Sequence, residues 1–344
     1  MYKAGVSVFN GLSDYSLDKN LEYIKKAKDM GCEIIFSSAH INEANNGTND
    51  LQKCLALINQ LEMKLSLDIS KPAYEKMSSL EGLYAMRLDY GFSDADIVEL
   101  SQRASFLIEL NASTMSNQRF EKLIQQGLNL DHVRMSFNYY PKKYTGHDFD
   151  FVKERVVYFH QYHLSVGAFL PSHVGFRPPM YEGLPTIEEH RTLNLDLAIE
   201  ELKAIGVDEI LFGDAYVSME EMKKLTIHQT ETILIPLKLH EGIDEEMMKI
   251  YDGEYKIRSD YNQTLLRFNG LAIQKNIEPF HTTNRLVGDV TIDNVHFLRY
   301  QKEMNIVLRE LEKDERVNVI GHIEVRKAII NQIVQGSKFK FINV

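Results

Sequence analysis

About 225 residues from the N-terminus repeat one pattern eight times: a short apolar, β-rich run, a polar loop, then a segment with helical spacing. The runs are Ala4–Phe9, Glu33–Ser37, Lys64–Ile69, Leu83–Leu88, Phe106–Leu110, Val133–Phe137, Val166–Leu170 and Glu209–Phe212. Mostly continuous apolar runs of this length belong to parallel strands covered on both faces. Helical spacing fills the intervals at Asp18–Met30, Asp50–Leu61, Asp94–Arg103, Asn117–Gln126, Asp148–His163 and Ile187–Ile205. Gly31, Gly127 and Gly206 close three of these segments, where a left-handed residue ends a helix cheaply. Eight such units predict an α/β fold, the (β/α)8 or TIM barrel. An open doubly wound sheet is the alternative, but it rarely carries eight regular units.

Beyond about Ile233 the runs shorten and alternate: Ile233–Leu239, Tyr255–Arg258, Gly288–Ile292, Asn305–Leu308, Val317–Ile320 and Phe339–Ile342. They predict a smaller C-terminal β-barrel or sandwich. The division is placed at 1–228 and 229–344, within the stretch Leu225–Thr232.

The net charge of −10 opposes attraction to nucleic acid and to anionic membranes, so neither is expected as a partner. No apolar stretch spans a bilayer and no leader pattern opens the chain. Cys32 and Cys54 make no disulfide framework. These readings predict a cytoplasmic enzyme with a small-molecule partner and leave homo-oligomerisation open.

Barrel chemistry forms on the loops after the strands. Asp68, Asp89, Glu109 and Asp214 stand at those ends and are expected to approach one cavity, with Glu182 in the long loop after the seventh strand. Converging carboxylates suit general acid–base work, and two of them are the minimum for ordinary glycoside hydrolysis. Any one of them is also a candidate ion-pair partner of a neighbouring arginine. Tyr90, Tyr139, Tyr140, Tyr144 and Tyr181 offer flat faces for a sugar ring. Lys142, Lys143 and Arg177 are loop cations suited to an anionic group. The rigid segment Phe176–Pro185 reads as a binding loop. His40 and His173 lack a helical histidine partner, so no metal centre is expected, and a hard cation on carboxylates is the lesser alternative. No P-loop or dinucleotide fingerprint is present, so no cofactor is expected either.

The motifs Met86-Arg87-Leu88-Asp89-Tyr90-Gly91-Phe92, Glu109-Leu110-Asn111-Ala112-Ser113-Thr114, Asn138-Tyr139-Tyr140-Pro141, Tyr181-Glu182-Gly183-Leu184-Pro185-Thr186 and Gly213-Asp214 come in that order. With Gly288–Asn294 and Asn318–Gly321 they make a chain that resembles the bacterial 6-phospho-N-acetylmuramidase family. The resemblance implies a TIM barrel with a cyclophilin-like C-terminal domain. It also implies a cytoplasmic glycosidase of cell-wall (peptidoglycan) recycling. The implied substrate is N-acetylmuramic acid 6-phosphate β-1,4-linked to N-acetylglucosamine.

Under that reading Asp89 and Glu109 are favoured near the cleaved bond, with Asp68, Glu182 and Asp214 as further candidates. Arg87, Lys142 and Arg177 are candidates for the phosphate or lactyl carboxylate. Asn111 and Asn138 are candidates for hydroxyl or acetamido groups, and Tyr90, Tyr140 and Tyr181 for the rings. The rival readings are a sugar-phosphate lyase or isomerase on the same barrel, and a carbohydrate-binding protein without turnover.

Overall fold

The computed structural model describes residues 1–10, 15–39, 47–77, 80–268, 270–271 and 273–343. It contains two compact units, Met1–Gln229 and Thr230–Val344. The first is a closed, all-parallel barrel of eight strands in sequence order. These are β1 (Lys3–Ser7), β2 (Ile34–Ser38), β3 (Lys64–Ile69), β4 (Ala85–Leu88), β5 (Leu107–Asn111), β6 (Val133–Ser136), β7 (Val166–Leu170) and β8 (Glu209–Phe212). Between them lie α1 (Leu17–Asp29), α2 (Gly47–Gln60), α3 (Lys71–Tyr74), α4 (Asp94–Arg103), α5 (Asn117–Gln125), α6 (Phe149–His160) and α7 (Leu195–Ala204), and α8 (Met219–Ile227) follows β8.

Two helical expectations change. The interval between β3 and β4 holds only the four-residue α3. The helix predicted over Ile187–Ile205 breaks into a short turn, Glu188–Arg191, and α7. Asn194 causes the break: its side chain accepts the amides of Asp196 and Leu197 and starts a new helix there. Serines do the same work elsewhere. Ser16, Ser93, Ser116 and Ser218 each accept an amide hydrogen bond at the start of the helix they precede.

The register sorts the side chains. Level partners in a parallel ladder share a face, and alternate residues point to opposite faces. Val6, Ile35, Leu67, Met86, Ile108, Met135, Ala168 and Ile210 lie on the outer face and are buried. The inner face divides in two. Ile34, Phe36, Phe169 and Leu211, from β2, β7 and β8, form an apolar cluster. Ser66, Asp68, Arg87, Glu109, Asn111, Arg134 and Ser136, from β3 to β6, form a polar wall. Gly5 lets the barrel close, since a Cβ there would lie 2.7 Å from the Ile34 carbonyl and 2.9 Å from Leu211 Cγ.

The second unit is a curled sheet of β9 (Ile233–Leu239), β10 (Leu265–Phe268), β11 (Asp289–Asp293), β12 (Met304–Val307), β13 (Val317–His322) and β14 (Phe339–Asn343). Their order is β10-β12-β11-β13-β9-β14. The segment Tyr255–Arg258, expected as a strand, makes only isolated bridges, Tyr255 to Phe339 and Ile257 to Phe268. Those two bridges touch the two edge strands and draw the sheet round on itself. Strand β10 was not foreseen, because four residues with one arginine give too short an alternation to read. Tyr255, Phe268, Phe339 and Phe341 pack together at the closure, with ring centroids 5.3–5.8 Å apart. Among the described residues no helix is long and apolar enough to cross a membrane.

A buried charge cluster joins α7 to α8. His228 Nδ1 lies 2.7 Å from Glu200 Oε1, and Nε2 lies 3.0 Å from Asp196 Oδ1. Burial alone would lower this imidazole's pKa, but the hydrogen bonds to Asp196 and Glu200 outweigh it and raise the value above 6.5. The stabilisation is therefore complete below about pH 6.5 and is lost as pH climbs through the raised folded value. In urea titrations the free energy of unfolding should fall along that alkaline limb, and His228→Gln should abolish the fall. An unchanged pH profile in the variant would show that no imidazolium bridges the helices.

Candidate active site

The polar wall of the barrel is an alternation of charge on neighbouring strands. Asp68 on β3 accepts from Arg87 Nη1 on β4 at 2.7 Å. Arg87 Nε donates to Ser136 at 3.0 Å and lies 3.8 Å from Glu109 on β5. Arg134 on β6 lies 3.2 Å from Glu109 through Nε and pairs through Nη2 with Glu209 on β8. To reach Glu209 the guanidinium must cross β7, and Gly167 permits it: a Cβ there would lie 3.3 Å from Nη2. Burial alone would lower the pKa of both arginines. The neighbouring carboxylates reverse this, so both are raised and stay charged.

Depth separates these groups. Glu109 is 1% exposed, accepts hydrogen bonds from Ser66 and Ser136, and lies beside both arginines. The space beside it is a void of about 10 Å³, lined also by Phe36, Phe169 and Leu211. That is near the size of one water and far below that of a sugar. Glu109 thus ties together the strands of the barrel interior, well below the open end. Asp68 lies higher, with its side chain 10% exposed. Asp89, two residues beyond Arg87, is exposed at the open end. Asn138 Oδ1 accepts from Arg87 Nη2 and, at 3.0 Å, from Asn111 Nδ2, so these three side chains converge beside Asp68.

The loops above are pinned by other acids. Asp214 accepts the amides of Ser172, Arg177 and Leu184 at 3.0, 2.9 and 2.9 Å. One buried carboxylate thereby fixes the loop after β7 at three points. Its pKa is raised by burial, against which those amides pull down. Glu182 accepts the Lys143 amide at 3.0 Å. Asp214 and Glu182 thus both fasten loops at the open end through backbone amides.

A stronger fastener went unrecognised. Arg191 donates to Glu188 and to the carbonyls of Tyr140, Lys142, Glu182 and Gly183, tying the loops after β6 and β7 together. Glu188 also accepts the amides of Tyr144 and Gly146, both at 2.8 Å. Against the upward push of burial, Arg191 and those amides hold the Glu188 carboxyl down at about 2.

The remaining expected contacts divide. The Tyr140 hydroxyl is committed to His147 at 2.8 Å. Tyr90 and Tyr181 are exposed rings on the loops after β4 and β7, and Lys142 is exposed on the loop after β6. Arg177 lies with its guanidinium carbon 4.2 Å over the Phe9 ring and donates to the Tyr139 hydroxyl at 3.2 Å. Tyr139 packs edge-on against Phe36 and Phe169, capping the apolar half of the barrel. Arg134, Ser136, Ser66 and Glu209 lie on the strands and not on the loops after them, outside the positions where barrel chemistry is expected. Their signal was a polar residue set at every second position inside otherwise apolar parallel strands. Among the described residues no three His, Cys, Asp or Glu side chains are grouped to hold a metal ion. His173 is exposed on the loop after β7, and His40 lies outside the described residues.

Residues 4–227 match the family model described as 6-phospho-N-acetylmuramidase, N-terminal, and residues 233–342 match the one described as 6-phospho-N-acetylmuramidase, C-terminal. No curated protein matches the chain. Among solved structures it is similar to a conserved Enterococcus faecalis protein of unknown function, at 30% identity and a TM-score of 0.78 over 99% of this chain and 96% of that one. It is also similar in fold to an uncharacterised B. cereus protein, at 23% identity and a TM-score of 0.85, over 99% of this chain and 100% of that one.

The depth argument is testable on Glu109. Glu109→Ala should lower the free energy of unfolding by about 3–5 kcal/mol, because it takes one of two opposite charges from each of two buried guanidiniums. Urea denaturation measures this. A loss below about 1 kcal/mol would mean that the carboxylate does not balance those charges.

Proposed function

Because the chain belongs to the 6-phospho-N-acetylmuramidase family, we propose that it is a glycoside hydrolase that cleaves N-acetylmuramic acid 6-phosphate from N-acetylglucosamine across their β-1,4 bond. The observation that carries the reading is the position of Asp68. It is the inner-wall carboxylate nearest the open end, aimed by a buried arginine, with Asp89 further out on the neighbouring strand.

Hydrolysis needs a proton on the leaving oxygen and an oxygen atom delivered to the anomeric carbon. Asp68 and Asp89 are assigned these two tasks. One carboxyl gives its proton to the oxygen that departs with N-acetylglucosamine. The other draws a proton from the attacking water, attacks the anomeric carbon itself, or orients the substrate's acetamido group to do so. Water is consumed, its hydroxyl ends on the muramic sugar, and the acid is reprotonated. Arg87 is the positioning group, since its ion pair with Asp68 and its bond to Asn138 fix both. Asn111 and Asn138 offer amide groups to ring substituents, while Tyr90 and Tyr181 offer flat faces. A phosphorylated sugar acid cannot cross a bilayer unaided, so the reaction is assigned to the cytoplasm, within cell-wall recycling.

Incubation with the phosphorylated disaccharide should yield two sugars, identified by mass, and the unphosphorylated disaccharide should be cleaved far more slowly. Intact phosphorylated disaccharide after long incubation would refute the assignment. Asp68→Asn and Asp89→Asn should each cut turnover by about 10²–10⁴-fold if they transfer protons. A variant that keeps a near-normal rate removes its residue from the mechanism.

A further inference from the structure

We propose that Arg177 and the Tyr139 hydroxyl together form an oxyanion-binding subsite at the open end of the barrel, which takes a carboxylate or phosphate group of the ligand. The inference deepens the hydrolase reading and rests on it only for the identity of the sugar.

Arg87 and Arg134 face carboxylates in the barrel, and Arg191 is filled by Glu188 and four carbonyls. Arg177 differs. Among the described residues no carboxylate lies within ion-pair distance of its guanidinium, and Nε is enclosed without a hydrogen-bond partner. A cation so placed would ordinarily turn to water. Here its guanidinium carbon lies 4.2 Å over the Phe9 ring, where the cation–π contact favours it. Its backbone amide is anchored on Asp214 at 2.9 Å, so the loop beneath cannot swing it away.

Tyr139 supplies the second donor. A guanidinium can only donate, so in the 3.2 Å contact with Arg177 the phenol oxygen must be the acceptor. The phenol's own proton then has no acceptor among the described residues. Burial raises the Tyr139 pKa, with Arg177 pulling it down, so that proton is present at any ordinary pH. A guanidinium edge and an O–H side by side match a planar carboxylate or one face of a phosphate. Tyr139 directly follows Asn138, which accepts from the Arg87 guanidinium that pairs with Asp68, so the subsite lies near the carboxylate assigned to the chemistry.

Isothermal titration calorimetry tests this on the whole protein with three probes. N-acetylglucosamine 6-phosphate carries only the phosphate, N-acetylmuramic acid only the carboxylate, and N-acetylglucosamine neither. Arg177→Ala should weaken the anionic probe that uses the subsite by about 100-fold and Tyr139→Phe by about 10-fold, the range for hydrogen bonds to charged groups. Binding of the neutral sugar should stay unchanged. Arg177→Lys should recover part of the loss, since it restores charge without the planar edge.

A loss confined to the phosphorylated probe assigns the subsite to phosphate, and one confined to N-acetylmuramic acid assigns it to the lactyl carboxylate. If neither anionic probe binds the wild type, or both bind Arg177→Ala and Tyr139→Phe as tightly as the wild type, the subsite does not exist. Should Arg177→Ala fail to fold, Tyr139→Phe alone decides. The two readings fail separately. Wild-type cleavage of the disaccharide with an unchanged KM in Arg177→Ala removes the subsite and keeps the hydrolase. Anion binding that depends on Arg177, in a protein that cleaves nothing, does the reverse.

Discussion

Everything in the barrel depends on one run of alternating charge: Asp68, Arg87, Glu109, Arg134 and Glu209, carried by β3, β4, β5, β6 and β8. Taking ionised groups out of water costs several kcal/mol each, and only close opposite charges repay that cost. The strand register supplies the closeness, because Asp68, Arg87, Glu109 and Arg134 are level partners in successive ladders. The run crosses β7 without a side chain, since Gly167 occupies the level between Arg134 and Glu209. Removing any member takes one opposite charge from each neighbour, so the run constrains the sequence as a unit.

That constraint explains why the inner surface has two functions. Its deep part, Glu109 with Arg134 and Glu209, encloses a void too small for more than a water and serves as scaffold. Its upper part, Asp68 with Arg87, Asn111 and Asn138, inherits a fixed orientation from below and reaches the open end. The opposite half is apolar, and Tyr139 bridges the two by setting its ring on Phe36 and Phe169 and its hydroxyl beside Arg177.

The barrel was legible because parallel strands covered on both faces must be apolar on the outside, and eight such runs stand clear of their polar loops. The long motifs from Met86 to Asp214 pointed to the family that the whole chain matches. The candidate site was legible only in part. Rank order along a strand gives the strand end but not depth, so Glu109 and Asp68 looked equivalent although only one approaches the mouth. Sequence also does not show which carboxylates collect backbone amides, as Asp214 and Glu182 do. In the second unit, Tyr255–Arg258 has strand composition yet makes single bridges, because it joins two edges rather than extending either.

The contrast between depth and mouth is itself informative. Below the mouth each charged group of the inner wall faces its opposite, as burial demands. At the mouth the chain spends three amide hydrogen bonds from Asp214 and the Arg191 fastener on holding loops still, yet leaves Arg177 without a carboxylate. A fold selected for stability alone would pair that guanidinium or release it to water. Its contact with Phe9 holds it at the mouth, where a bound anion would complete the arrangement. The subsite proposed above sets the anionic group of a ligand against that arginine, on the side of the barrel mouth where Tyr139 lies.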